Sequence, residues 1–201
     1  MMLAAAALVL ARVEIFDDRG AVHSTDEWRG LPVIIAPVYT RCPVACPLIT
    51  AGLKRAITQS KARPGTYRVV IFSFDPRDTP ADLHRFRQRH NLPIDWTVAS
   101  ARGPDIRALM DSIGFQYAQI RGGYSHPNIV VGLTPELRVS KVLNGTEYRA
   151  GDIDDIIAGN EWLDRYSAPL FALLLFVAIT SIGYLAALTA RGRTRSRPAD
   201  C

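Results

Sequence analysis

The 201-residue sequence contains no internal repeat and no low-complexity segment, so it is neither a repeat array nor a disordered chain. Its length leaves no room for a long multi-domain enzyme. It also lacks a strong charge over its folded part. The formal net charge is +5, but Arg191, Arg193, Arg195 and Arg197 crowd the last eleven residues against Asp200 alone. The preceding 190 residues hold 20 basic and 18 acidic side chains. That near balance gives nucleic-acid binding little electrostatic support. Cysteine and histidine are scarce, at three and four residues, so each can be weighed individually. The N-terminus has none of the Arg and Ser enrichment of an organelle-targeting segment. What is plentiful is apolar: 48% hydrophobic against 21% charged residues, enough for one core of ordinary size and an attachment.

The attachment lies near the C-terminus. From Pro169 to Ala190 runs PLFALLLFVAITSIGYLAALTA, twenty-two residues without a charge. As a helix rising ~1.5 Å per residue it reaches about 33 Å, the thickness of a bilayer core. A single transmembrane helix over 169–190 is expected. The competing reading is a buried C-terminal helix, which would normally show polar residues on its less buried face. The basic tail, 191–201, stays cytoplasmic under the positive-inside rule, so the domain before the helix faces outward. This places the chain in the bacterial cytoplasmic membrane with its main domain, 12–166, in the periplasm. Residues 1–11, MMLAAAALVLA, form an apolar stretch ending at Ala11 but lack a basic n-region. They read as a signal peptide or weak anchor, or else as a strand or helix of the domain.

Between these ends, strands and helices alternate. RVEIFDD (12–18) reads as a short strand, LPVIIAPVYT (31–40) as a buried central strand and YRVVIFSF (67–74) as a second. Leu48, Leu53, Ala56 and Ile57 recur at helical spacing and predict an amphipathic helix over 47–61. Thr79, Pro80 and Asp82 supply a cap, a first-turn proline and an acid for a helix running to His90. A strand at 96–98, a helix at 104–113, strands at 128–133 and 138–143 around Thr134-Pro135-Glu136, and a helix at 152–166 complete the order. The expected architecture is an α/β sandwich with a mixed sheet, an order that a thioredoxin-like fold satisfies.

Two cysteines lie in YTRCPVACP (39–47), between a buried strand and a helix. Backbone N–H groups at such a junction stabilise thiolates, and four-residue spacing brings the Cys42 and Cys46 side chains toward one side. The pair can close to a disulfide or grip a soft metal ion. A plain structural disulfide is the competing reading, but so small a loop would stabilise little through chain entropy. His84 and His90 share a helix with three arginines, and His23 lies in a polar loop; all three read as surface residues. His126 follows Gly122-Gly123-Tyr124-Ser125 and introduces an apolar strand, a position from which a loop side chain is able to reach the dithiol, although taken alone it reads as a generic loop histidine more often than as a ligand. Two thiolates and an imidazole suit Cu(I), and with a fourth ligand Cu(II) or zinc. Cys201, after the basic tail, is given no role in the site.

YTRCPVACPLIT at 39–50, SFDPRDTP at 73–80 and SHPNIVVGLTPELRVSKVLNG at 125–145 together resemble the SCO1/SenC family of copper-delivery proteins for cytochrome c oxidase, over residues 15–160. The resemblance implies a thioredoxin-like domain in which Cys42, Cys46 and His126 bind a copper ion. It further implies that the cysteine pair keeps the thiols of a copper-accepting subunit of cytochrome c oxidase reduced, by reducing their disulfide, with other periplasmic copper or thiol-redox proteins as further partners. Asp75 and Asp78 match the family's acidic segment. Asp78 either orients the metal loop by hydrogen bonding or serves the turn before the Thr79 cap. The chain departs from the family pattern in its C-terminal span, in Val44-Ala45 where an acid commonly follows the first Cys-Pro, and in Pro127-Asn128 after the histidine. The expected function is thus a membrane-tethered copper chaperone. The alternatives are a thiol-disulfide oxidoreductase, which needs the cysteines but not His126, and a non-catalytic membrane-tethered assembly factor.

Overall fold

A computed structural model describes residues 8–159, 175–177 and 179–181. Nine strands and four α-helices follow in the order β1 (Glu14–Asp17), β2 (Val22–Ser24), β3 (Val33–Val38), α1 (Ala45–Gln59), β4 (Arg68–Ser73), α2 (Pro80–His90), β5 (Thr97–Ala101), α3 (Gly103–Ser112), β6 (Ala118–Ile120), β7 (Gly123–Ser125), β8 (Ile129–Leu133), β9 (Val139–Asn144) and α4 (Ala150–Ala158). Seven strands form one mixed sheet in the order β2-β1-β5-β4-β3-β8-β9. Its centre, β5-β4-β3, is parallel, and both flanks are antiparallel. The expected mixed sheet is therefore present.

The centre is parallel because its strands can be covered on both faces. All six residues of β3, VIIAPV, are buried, and so are the last five of β4. Pro37 lies beyond the last β3–β8 pair, Ile35 with Val131, where a missing N–H takes nothing from that ladder. The parallel pairs require crossovers, supplied by α1 and α2, which contact each other. The start of α2 follows the sequence signals: Thr79 accepts from the Asp82 N–H, Asp82 accepts from the Thr79 N–H, and Pro80 sits in the first turn. The helix ends at Asn91 in a left-handed conformation (φ 46°). Arg87 clasps this helix to the sheet. Its guanidinium donates to both carboxylate oxygens of buried Asp18, 2.6 and 2.9 Å away, and to the Pro93 and Trp96 carbonyls.

Several elements depart from expectation, among them β2, which carries His23 where a polar loop was expected. Helix α1 begins at Ala45 rather than at 47, with Pro47 in its first turn, where a missing N–H has no intrahelical acceptor to lose. Residues that precede the expected domain start at 12 also make contacts with it. Leu10 is buried, its N–H bonds the Leu137 carbonyl, the Leu8 carbonyl accepts from Val139 and Ala11 N–H bonds Ser112 Oγ. Leu8–Ala11 thus belong to the domain, because they cover the otherwise open start of β9. Strands β6 and β7 were not expected at all. They form a separate two-stranded ribbon turning at Arg121-Gly122, where Gly122 takes a positive φ of 87°.

Among the described residues no helix is long and apolar enough to cross a membrane. Residues 175–177 and 179–181 are helical. The rest of the expected span over 169–190, and helix 152–166 beyond Gly159, lie outside the described residues.

Two glycines mark where the layers meet most closely. A Cβ on Gly52 of α1 would penetrate the Thr146 carbonyl, and one on Gly132 of β8 would lie 2.6–2.9 Å from three Ile156 side-chain atoms of α4. Gly151, in the first turn of α4, faces open space. Gly52→Ala is expected to destabilise the domain by about 1–3 kcal/mol through overpacking against backbone that cannot yield. Gly151→Ala is expected to be neutral or stabilising by up to about 1 kcal/mol. Urea unfolding of the two variants checks the pair.

Candidate metal and redox centre

The site forms at one end of the central strands. Segments that follow parallel β3 and β4 emerge at the same edge of the sheet. Because β8 is antiparallel to β3, the segment that precedes it emerges there too. The β3–β8 register pairs Val33 with Leu133 and Ile35 with Val131; continued outward, it carries residues 126 and 127 opposite 40 and 39. Topology thus delivers Cys42, Asp75, Asp78 and His126 to one rim.

Cys42 precedes the N-cap of α1, Val44, by two residues, and Cys46 lies in the first turn. Val44 offers no side-chain cap. The Cys42 sulfur takes that role, accepting the Cys46 backbone N–H at 3.3 Å. Both thiols are free and buried, Cys46 completely and Cys42 at 8% exposure. Their acidities diverge. Burial disfavours the Cys42 thiolate, but the Cys46 backbone and thiol, the Val44 N–H and the Tyr39 phenol outweigh it and hold its pKa below the ordinary thiol value. For Cys46 burial dominates, and the neighbouring Cys42 adds to it, so its pKa is strongly raised. Burial and the Cys42 side chain push Tyr39 up to about 12.

Asp78 serves both the turn before Thr79, where its N–H donates to the Asp75 carbonyl at 3.0 Å, and the cysteine loop. Its oxygens accept the Thr40 N–H at 2.9 Å, the Thr40 hydroxyl at 2.7 Å and the Ser73 hydroxyl at 2.5 Å, with Arg41 Nη2 at 3.1 Å. It therefore fixes the backbone two residues before Cys42, whereas capping of α2 falls to Thr79 and Asp82. Asp75, also buried, accepts from Arg77 through its backbone N–H, Nε and Nη2 and from Arg41 Nη2 at 2.7 Å. Burial would raise the Asp75 pKa, but the two guanidiniums more than offset it and hold the carboxyl well below its usual range.

His126 rests against an aromatic cluster built on Phe74. Its ring centroid is 5.3 Å from Phe74 and 5.9 Å from both Tyr39 and Phe115. Tyr117 and Tyr124 pack on Phe74 at 4.8 and 5.3 Å. His126 Nδ1 lies 3.0 Å from the Pro127 carbonyl oxygen, which only accepts, so Nδ1 donates in that contact and Nε2 is the uncommitted ring nitrogen. The structure thus joins the two cysteines directly and brings His126 to the same rim through Tyr39. Among the described residues no three His, Cys, Asp or Glu side chains are already arranged around one ion position. His23, His84 and His90 lie elsewhere, His23 beside Asp17 and Glu27, His84 near Asp18 and Gln88, and His90 against Phe86. Sequence reasoning missed Tyr39, Arg41 and Arg77. Their signal was position alone, beside the first cysteine and between the two aspartates.

The SCO1/SenC family model matches residues 3–156. A solved structure of a candidate electron transfer protein from Aquifex aeolicus VF5 is 31% identical, covers 75% of this chain and 90% of its own, and superposes with a TM-score of 0.71. Arabidopsis thaliana ScoI, solved with copper bound, is 20% identical over 72% of this chain and 92% of its own, with a TM-score of 0.63. BsSco, a member of the Sco family of cytochrome c oxidase assembly proteins in which a disulfide switch was identified, is 21% identical over 78% and 95%, with a TM-score of 0.65. The last two share the fold. No curated protein matches the chain.

Two outcomes follow from this geometry. With limiting iodoacetamide at neutral pH, Cys42 is expected to be alkylated before Cys46, as read by peptide mass mapping, because it is both the more acidic and the less enclosed thiol. Asp75 has a depressed folded pKa, so its stabilising contribution is present above the unfolded carboxyl value near 3.8 and is lost as pH falls through that region and below. Asp75→Asn is therefore expected to flatten the fall in urea midpoint between about pH 5 and pH 2. An unchanged acid limb would show that the Arg41 and Arg77 pairs contribute nothing there.

Proposed function

The chain belongs to the SCO1/SenC family, and we propose that it takes up a copper ion at Cys42, Cys46 and His126 and passes it to the copper-accepting subunit of cytochrome c oxidase. The observation that carries this reading is the dithiol, two neighbouring thiols at a helix N-terminus that the Cys42 sulfur itself caps, with an imidazole on the same rim. Two sulfurs and a nitrogen suit Cu(I). Copper is cargo here, so the site has to release it, and three partly separate donors allow release by stepwise ligand exchange. Cys42 is the donor readiest to lose its proton, while Cys46 has to be deprotonated against its burial. Nε2 is the His126 nitrogen free to bind, Nδ1 being engaged with Pro127. Asp78 holds the peptide before Cys42 in place while ligands exchange. Copper in the Arabidopsis relative and the oxidase-assembly family of BsSco support the assignment.

The uncharged segment 169–190 supports tethering by a single membrane span, with 191–201 cytoplasmic and the domain periplasmic. A tether confines the search for a membrane-bound acceptor.

The unequal acidity of the two thiols favours a second reading, thiol-disulfide exchange, with Cys42 as attacking and Cys46 as resolving thiol. The two readings separate on His126. Competition with a chromogenic Cu(I) chelator, using the reduced full chain in detergent, is expected to give one-to-one binding that weakens at least about tenfold in His126→Ala and vanishes once the cysteines are oxidised. Affinity indifferent to His126 would remove it from the ligand set and leave thiol exchange as the function.

A further inference from the structure

Two of the three chain segments that build the rim of the dithiol are free of acid. No Asp or Glu occurs from Trp28 to Phe74, the stretch that carries Cys42 and Cys46, or from Ser112 to Pro135, the stretch that carries the β6–β7 ribbon and His126. The carboxylates that enter the rim, Asp75 and Asp78, have side chains with 0% exposure and are saturated by hydrogen bonds. The guanidiniums paired with them stay open, 45% exposed for Arg41 and 57% for Arg77. The cluster is neutral as a sum but polarised: its negative ends are sealed against β3 and β4, and its positive ends meet solvent. Arg41 and Arg77, with Tyr39 and the ribbon residues Gln119, Ile120 and Gly123, line a pocket of about 220 Å³. Tyr39 joins this pocket to the reactive sulfur, since its carbonyl accepts the Cys42 N–H and its phenol contacts the Cys42 side chain. Exposed Arg121 stands at the turn of the ribbon, between pocket-lining neighbours. Asp111, beside Tyr117, is offset by Arg107 on the same helix, whose guanidinium lies 4.5 Å from the Tyr117 ring centroid.

We propose that this rim selects thiol and disulfide partners that carry a carboxylate close to the exchanging sulfur, Arg41 and Arg77 receiving the carboxylate in the pocket and Arg121 steering its approach. The inference rests on the reading of Cys42 and Cys46 as an exchange site, but it involves no copper, so its failure leaves copper delivery standing. In the exchange, the Cys42 thiolate attacks one sulfur of the partner disulfide, the partner S–S bond breaks and the distal sulfur leaves as a thiolate. Cys46, its proton released to solvent, then attacks the Cys42 sulfur, expels the second partner thiolate and closes the Cys42–Cys46 disulfide. Two electrons pass from the dithiol to the partner.

Stopped-flow oxidation of the reduced full chain in non-ionic detergent tests this. The probes are dithiobis(nitrobenzoate), anionic, dithiodipyridine, neutral, and cystamine, cationic. Between about 20 and about 500 mM salt the anionic probe is expected to slow about fivefold, the neutral probe to change little and the cationic probe to accelerate. At low salt, Arg121→Glu is expected to slow the anionic probe several-fold with the neutral rate retained, because Arg121 is exposed at the ribbon turn and takes no part in the hydrogen bonds that hold Asp75. Equal salt responses for all three probes, or an Arg121→Glu variant that slows the neutral and anionic probes alike, would overturn the proposal.

Discussion

Two buried carboxylates hold the functional end of this molecule together. Asp75 and Asp78 follow β4, yet their bonds reach back to the segment that follows β3: Thr40 and Arg41, immediately before Cys42. A buried charge without partners would be strongly unfavourable. The chain can place these two carboxylates inside only by bringing Thr40, Ser73, Arg41 and Arg77 to them, and in doing so it fixes where the first sulfur sits. The stability of the rim and the position of the nucleophile are one constraint.

From that anchor the chemistry becomes unequal. Cys42 stands outside the first turn of α1, where a helix N–H points at its sulfur, and Cys46 stands within the turn with no exposure. One pair of identical side chains therefore offers a thiolate that forms readily and a thiol that resists ionisation. Such a pair suits transfer better than storage, whether the item transferred is a soft ion or a pair of electrons. The aromatic cluster around Phe74 supplies the other half of the site. It carries His126 on its surface and links it through Tyr39 to the dithiol.

Much of this was legible in the residues. Unbroken apolar runs marked β3 and β4 because strands covered on both faces need no polar alternation. Thr79-Pro80-Ala81-Asp82 marked the start of α2 because capping is decided within four residues. The ribbon escaped notice because each strand has only three residues and β6 is fully exposed, leaving no hydrophobic alternation to read. The contacts of Leu8–Ala11 were not legible, because their composition is only apolar. Their role in covering the sheet beside β9 depends on partners more than a hundred residues away.

The sequence by itself determined the element order, the two cysteines at a strand-to-helix junction, the histidine at the start of a strand and the SCO1/SenC family, since each depends on local spacing and residue type. Only the tertiary structure decided that Asp78 serves the cysteine loop as well as the turn before Thr79, that the two thiols differ in acidity, and that buried acids leave their arginine partners facing outward. Burial and long-range hydrogen bonding decide these properties, and both are fixed only when segments far apart in the chain meet at one edge of the sheet.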